Sequence, residues 1–262
     1  SASSSIYSNV TIKINDGSLT ISRKPLDVIT ATIEEGEIIY NGEEQEPSYI
    51  LTDSDGNVLS PSEYEIIFDN NVNAGEADVI IKPTKNSQYN FKEFVEHFTI
   101  TPKEIELKWS ETTAFEYDGS EKNVTVDASG IIAGDKCTIK ATDMTGVNAG
   151  DHTATITLDG TDKNNYKLPS NSMLDWTISK APLCTIEVKG KSATKIYTGA
   201  EQGVTGYTYN PYDATITITK SPAQEEIFAK GTAVGSYPTN MTEDMFTATS
   251  SNYETIKFAI KN

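Results

Sequence analysis

The feature that most constrains this chain is a set of landmarks that recurs three times in one order. A Tyr-x-Gly triplet occurs as Tyr40-Asn41-Gly42, Tyr117-Asp118-Gly119 and Tyr197-Thr198-Gly199, at spacings of 77 and 80 residues. Each is followed 31 to 36 residues later by a small-residue pair ending in glycine: Asn73-Ala74-Gly75, Asn148-Ala149-Gly150 and Ala233-Val234-Gly235. A polar residue and an aromatic come next, as Gln88-Tyr89, Asn165-Tyr166 and Asn252-Tyr253, and two copies then close on Phe98-Thr99-Ile100 and Trp176-Thr177-Ile178. Self-similarity at a fixed period marks an array of one supersecondary unit. The 262 residues therefore divide into small repeats, expected at 25–102, 103–181 and 182–262.

The first 24 residues fit the same frame. Leu19-Thr20-Ile21 followed by SRKPL matches the closing WTI followed by SKAPL, so residues 1–24 are expected to be the last hairpin of a preceding repeat, with its two arms in residues 9–22. IYSNVTIKIND (6–16) also matches NYETIKFAIKN (252–262), which aligns Tyr7 with Tyr253. Nothing after Asn262 corresponds to Gly17-Ser18-Leu19-Thr20-Ile21. The third repeat is accordingly expected to lack its final strand, and the natural chain to continue in units of about 246 residues, the distance from Tyr7 to Tyr253. An exposed edge recruits strands, so head-to-tail strand exchange between molecules is an expectation of this pattern.

Within repeats the hydrophobic period is two. Ala154, Ile156 and Leu158 alternate with Thr153, Thr155 and Thr157, and Ala214, Ile216 and Ile218 with Thr215, Thr217 and Thr219. Such alternation predicts half-buried strands. Seven are expected in the second repeat, at 104–108, 113–117, 123–127, 136–142, 152–158, 165–168 and 174–179, with turn residues between them. The fold class is all-β: small Ig-like β-sandwiches of about 78 residues, with a β-grasp-like repeat as the alternative. Only SPAQEEIFAK (221–230) has room for a short helical turn. Tyr40, Tyr89, Tyr117, Tyr166, Trp176, Tyr197 and Tyr253 are read as core anchors, because a domain this small buries a thin core. Gly42, Gly75, Gly119, Gly150, Gly199 and Gly235 are read as turn markers. Asn41-Gly42 and Asp118-Gly119 predict two-residue hairpins with positive φ at both central positions, and Thr198-Gly199 a looser turn.

Charge and chemistry narrow the function. A balance of 21 basic against 38 acidic residues gives net charge −17, which repels nucleic acid and anionic lipid. No apolar run approaches the roughly 18 residues of a spanning helix, so no membrane insertion is expected. Cys137 and Cys184 lack CxxC spacing and are expected to be free. His97 and His152 stand in no catalytic or metal motif. Thr52-Asp53-Ser54-Asp55-Gly56-Asn57 has part of a calcium-loop pattern but lacks its spaced acceptor and terminal glutamate, so it reads as a hairpin turn. No catalytic, cofactor or metal residues are assigned. The joints Thr101-Pro102-Lys103 and Lys180-Ala181-Pro182 are short and stiffened by proline, which favours an extended rod.

These residues resemble a family: the YDG and mucin-binding-type (MBG) repeats, with related Ig-like repeats, of large bacterial surface proteins. FEYDGSEKNVTV, VNAGDHTATITLDGTDKNNYKLP and WTISKAPL carry the resemblance in the second repeat. YNGEEQEPS, EYEIIFDNNVNAGEADVIIKP and HFTITPK are similar to a sister type, and IYTGAEQ, GTAVGSYP and MFTATSSNYETIKFAI to a third. The resemblance implies a noncatalytic stalk or adhesin-like segment of an extracellular, cell-surface protein. Its alternatives are a binding module for a host glycan of mucin type or an extracellular protein, and the noncatalytic appendage of a secreted enzyme. Ala233-Val234-Gly235 in the third repeat and the inserted TDSDGNVL in the first depart from the shared pattern.

Overall fold

Alternating residues form strands wherever the chain is long enough to bury one face. The computed structural model describes residues 13, 16–34, 36–210 and 213–262. Among them there is no α-helix, only single 3-10 turns at Pro61–Glu63, Lys163–Asn165, Gln224–Glu226 and Glu243–Met245. The chain forms two compact units, Ser1–Lys103 and Glu104–Asn262.

In the first unit the strands are β1 (Lys24–Pro25), β2 (Ile29–Ile33), β3 (Ile38–Ile39), β4 (Tyr49–Asp53), β5 (Tyr64–Asp69), β6 (Gly75–Pro83), β7 (Tyr89–Asn90) and β8 (Phe94–Thr101). They make a four-stranded sheet β3-β8-β6-β5 and two pairs, β2-β4 and β1-β7. Leu51 on β4, Ala77, Val79 and Ile81 on β6 and Ile100 on β8 are wholly buried, each larger one stabilising by about 1.5–3 kcal/mol. The Tyr64 hydroxyl donates to the Tyr49 carbonyl at 3.2 Å, tying the two layers together.

The second repeat contains β9 (Lys103–Glu104), β10 (Glu106–Trp109), β11 (Ala114–Glu116), β12 (Lys122–Asn123), β13 (Val126–Ser129), β14 (Thr138–Thr142), β15 (Thr145–Gly146), β16 (Gly150–Asp159), β17 (Tyr166–Lys167) and β18 (Met173–Ser179). The plan repeats: a four-stranded sheet β11-β18-β16-β14 with the pairs β10-β13, β9-β17 and β12-β15. In both repeats the final strand, β8 or β18, runs antiparallel to β6 or β16 and parallel to β3 or β11. The larger sheets are therefore mixed, whereas an Ig-like constant-type sandwich is antiparallel throughout.

The third repeat contains β19 (Ala181–Gly190), β20 (Gln202–Thr205), β21 (Tyr207–Tyr209), β22 (Thr217–Lys220), β23 (Phe228–Gly231), β24 (Thr247–Thr249) and β25 (Tyr253–Lys261). Its sheets are β21-β19-β25, β20-β23 and β22-β24. Ile186, Val188, Ile227, Phe246 and Phe258 form its core. No described strand plays the part of β8 or β18, so the four-stranded sheet has no counterpart here.

One device is common to all three repeats. The opening strand pairs in parallel with the segment that begins at the third landmark: Lys24 lies opposite Tyr89, the Ile105 N–H donates to the Lys167 carbonyl, and Ala181 lies opposite Tyr253. In the first repeat this clasp is two residues long; in the third it runs from Ala181 to Lys189.

Two expectations need correction. Residues 9–12, 14 and 15 of the leading hairpin (9–22) fall outside the described residues, but Leu19-Thr20-Ile21 is described and forms no strand. Leu19 and Ile21 are each 87% exposed, and no described strand pairs with this stretch. The Tyr-x-Gly corners are also not two-residue hairpins. Gly42, Gly119 and Gly199 have φ of 83°, 81° and 79°, but Asn41 and Asp118 are not at positive φ. The strands on either side of the first two corners belong to different sheets. A side-chain turn does the work instead: Asn41 Oδ1 accepts from the Glu43 N–H at 2.8 Å and Asp118 Oδ1 from the Ser120 N–H at 2.9 Å, the Asx-turn geometry. The corner thus sends the chain from one layer to the other. Lys122, then the Ser120 hydroxyl and amide, hold the Asp118 carboxyl well below the ordinary carboxylate range.

Gly119 tests the corner. A Cβ there would meet nothing nearer than the Tyr117 hydroxyl at 4.0 Å, so a substitution strains only the backbone. Gly119→Ala should cost about 1–2 kcal/mol. Both tryptophans, Trp109 and Trp176, lie in the second repeat, and their fluorescence in a urea titration reads that loss.

Candidate functional site

Tyr40, Tyr117, Tyr166 and Trp176 are buried, and Tyr89 and Tyr253 are half-buried. Tyr197 is the exception at 64% exposed. The reason is a missing partner: the Tyr40 and Tyr117 amides donate at 2.9 Å to Thr101 and Ser179 at the end of the final strand, and no described strand takes that place in the third repeat. Gly75 and Gly150 open the long strands β6 and β16, while Gly235 opens none.

The structure does not gather these markers into one pocket. It does bring three landmarks of the second and third repeats together at their joint. β18 ends at Ser179 and β19 begins at Ala181, leaving only Lys180 between the repeats. The ring of Tyr117 meets that of Tyr253 edge-on, with centroids 5.4 Å apart. Tyr253 packs against the buried clusters of both repeats.

Asn252 sits beneath this contact with 0% exposure. Burying an amide is costly unless its hydrogen bonds are replaced. Here they are. Its Oδ1 accepts from the Ala149 N–H at 2.9 Å, and its Nδ2 donates to Asn148 Oδ1 at 3.0 Å and to Thr215 Oγ1 at 3.2 Å. Its backbone carbonyl accepts from the Ala181 N–H at 2.9 Å. Asp213 extends the network: Oδ1 accepts from the Thr215 amide and hydroxyl, both at 2.7 Å, and Oδ2 accepts from the Tyr117 hydroxyl. Burial, then Cys184 and Asp213, pushes the Tyr253 hydroxyl above its ordinary pKa.

Asn148 and Asn252 were legible as landmarks, but not as partners, because each was read inside its own repeat. Asp213 and Thr215 carried no signal beyond strand alternation. Reading the Asn-Ala-Gly of one repeat against the polar-aromatic pair of the next would have found the first two.

A second feature is an open groove of about 610 Å³ in the third repeat. One wall is Lys191–Lys195 with Tyr197, the other Gly231–Thr239. Neither 191–198 nor 232–239 belongs to a strand. Lys189, Lys191, Lys195, Lys230 and Lys261 line it, with no acidic side chain among the lining residues.

The remaining candidates are quiet. Asp53 closes the Thr52–Asn57 turn on itself: Oδ1 accepts from the Asn57 N–H at 2.8 Å and the Asp55 N–H at 3.0 Å, and Oδ2 from Asn57 Nδ2 at 3.2 Å. Lys24 Nζ lies 3.8 Å from the same Oδ2. No group of His, Cys, Asp and Glu among the described residues is arranged for a metal. Burial raises the thiols of Cys137 and Cys184, the first helped by Asp135 and Asp162, so both stay protonated at neutral pH. His152 stacks on Trp176 at 4.2 Å, with Nδ1 3.4 Å from Asp143 Oδ1.

No family model matches the chain, and no curated protein matches it in sequence. Among solved structures, domains 4–9 of the surface-layer protein SbsC align with 12% identity and a TM-score of 0.22, over 88% of this chain and 47% of that one. The chain thus spans about half the length of that structure. So loose a superposition carries no argument, and the architecture rests on the sheets described above.

Two measurements test these assignments. Asn252→Ala strands the Ala149 N–H and should cost about 1–3 kcal/mol, splitting one thermal transition of the second unit into two by calorimetry. Asp53 is held below its ordinary value of 3.8, chiefly by the Asn57 amide and side chain. Its stabilisation is full above 3.8 and is lost as pH falls through its own lower value. Asp53→Asn should therefore flatten the acid limb of first-unit stability below that pH, read as denaturant midpoints by hydrogen-exchange mass spectrometry.

Proposed function

We propose that the chain is a noncatalytic stalk segment of a bacterial extracellular surface protein, whose task is to carry tension from one repeat to the next. One observation carries this reading. β19 follows β18 after a single residue and lies parallel to β25 through eight residue pairs between Ala181 and Lys189. Tension entering before Ala181 and leaving at Lys261 would pull the two strands in opposite directions along their length. Every bond of the ladder is then loaded together, whereas a hairpin pulled at its open end breaks one bond at a time. The buried network at Asn252 supports the same task, because it couples adjacent cores across the joint. The resemblance to YDG and mucin-binding-type repeats supports the extracellular, cell-surface location.

Single-molecule pulling tests this directly. Force applied across residues 181 and 261 should unfold the third repeat at several times the force needed when the handles sit at 190 and 261, which share one end of the ladder. Equal forces in the two geometries would remove the basis for a load-bearing role. A screen against host glycans and matrix proteins addresses the binding-module reading: selective binding abolished by one loop substitution would replace the stalk with a receptor-binding segment.

A further inference from the structure

The first two Tyr-x-Gly corners differ in one chemical group. Both close an Asx turn on a side-chain oxygen, but the first carries a carboxamide at Asn41 and the second a carboxylate at Asp118. Asn41 is the one asparagine in the sequence that is followed by glycine. Glycine has no Cβ to shield its own peptide nitrogen from the side chain before it, and Asn41 and Gly42 are both exposed, so water reaches them. The turn also prepares the carboxamide. Asn41 Oδ1 accepts from the Glu43 N–H at 2.8 Å and from Gln45 Nε2. Two donors on one carbonyl oxygen polarise its carbon and stabilise the negative charge that the oxygen takes up when a nucleophile adds. Gln45 is fixed in this position: its N–H donates to the Asn71 carbonyl at 2.8 Å, its own carbonyl accepts from Asn71 Nδ2 at 2.9 Å, and its Nε2 also donates to the Glu43 carbonyl at 3.0 Å.

We propose that Asn41 is a self-modifying site, where the folded corner converts the asparagine to an aspartyl or isoaspartyl residue with water as co-reactant. The Gly42 nitrogen gives its proton to solvent and bonds to Asn41 Cγ. The Cγ–Nδ2 bond breaks and ammonia leaves, closing a five-membered succinimide. Water then adds to one of the two ring carbonyl carbons and breaks its bond to the Gly42 nitrogen. Opening at Cγ leaves a normal backbone with aspartate at 41, whereas opening at the backbone carbonyl leaves an isoaspartyl link with one more carbon in the main chain. The aspartyl product fits the corner, because the Glu43 N–H and Gln45 Nε2 require only an acceptor and the second repeat holds a carboxylate in the same turn. It gains no cation: Lys122 pairs with Asp118, and the matching position, five residues after the tyrosine, is Gln45 beside Glu43 and Glu44. The isoaspartyl product does not fit. Its extra carbon falls directly after Tyr40, whose N–H is held on the Thr101 carbonyl at 2.9 Å, so it loosens the corner from the final strand. Asp118-Gly119 does not follow the same route, since Lys122 and Ser120 keep Asp118 ionised and a carboxylate has no leaving group to match ammonia.

Peptide mapping by mass spectrometry tests the proposal on the intact folded chain, aged at neutral and mildly alkaline pH in water labelled with heavy oxygen. The mass gain of an amide-to-acid exchange, carrying one labelled oxygen, should appear in the peptide that holds Asn41 before it appears at any other asparagine, Asn86-Ser87 and Asn171-Ser172 included. Its rate should rise with pH, because the Gly42 nitrogen attacks after losing its proton. Gln45→Ala and the nearly isosteric Gln45→Glu, neither of which can donate to Asn41, should each slow conversion several-fold in the folded chain and leave the rate in urea unchanged, with circular dichroism reporting that each variant is folded. Conversion confined to the urea-unfolded chain, conversion no faster at Asn41 than at the other asparagines, or a folded-state rate indifferent to both Gln45 variants would each overturn it.

Discussion

The parallel clasp between the opening strand of each repeat and the segment beginning at Tyr89, Tyr166 or Tyr253 is the interaction on which the rest depends. It fixes where a repeat begins relative to its own third landmark. Between the second and third repeats it also holds that landmark one residue beyond the preceding final strand, which places Asn252 under Asn148 and Ala149 and Tyr253 against Tyr117. Parallel pairing demands a long crossover, and each repeat supplies it with its own body. The joint is thus assembled by folding of the repeat that follows it.

Small domains bury a small fraction of their surface and are marginal alone. The second and third repeats relieve this by sharing a contact in which Tyr253 belongs to both clusters. Asn252 adds little net free energy by being bonded, since its bonds replace those to water. Its effect is directional: removing any partner leaves a buried polar group unsatisfied, so one arrangement of the two repeats is strongly preferred over its neighbours. Both cysteines are free, so no disulfide adds to this packing.

Much of the fold was legible because period-two alternation survives in any sheet. All seven strands expected in the second repeat exist, two of them split: 104–108 into Lys103–Glu104 and Glu106–Trp109, and 123–127 into Lys122–Asn123 and Val126–Ser129. The 3-10 turn at Gln224–Glu226 falls in the one stretch left open to helix. The Tyr-x-Gly corner was placed correctly and its geometry was not. Asp-Gly and Asn-Gly favour both a type I′ hairpin and an Asx turn, and only the destination of the next strand, into another sheet, selects the second. Tyr197 failed as a core anchor for a related reason: burial of this tyrosine depends on a strand more than sixty residues away in the complete repeats, Thr101 for Tyr40 and Ser179 for Tyr117.

The sequence by itself determined the all-β class, the recurrence of one landmark set at three places and the positions of the glycine corners, because these follow from local alternation, turn chemistry and repetition. Tertiary structure alone decided which strands run parallel, that Asn148 and Asn252 are partners across a joint, and that the third repeat carries an open groove between Tyr197 and Tyr237. Those outcomes depend on contacts between residues distant in the chain, and a residue's identity does not record its distant neighbour. Where the landmark is present and its partner strand is not, as at Tyr197, the same triplet passes from buried corner to exposed wall.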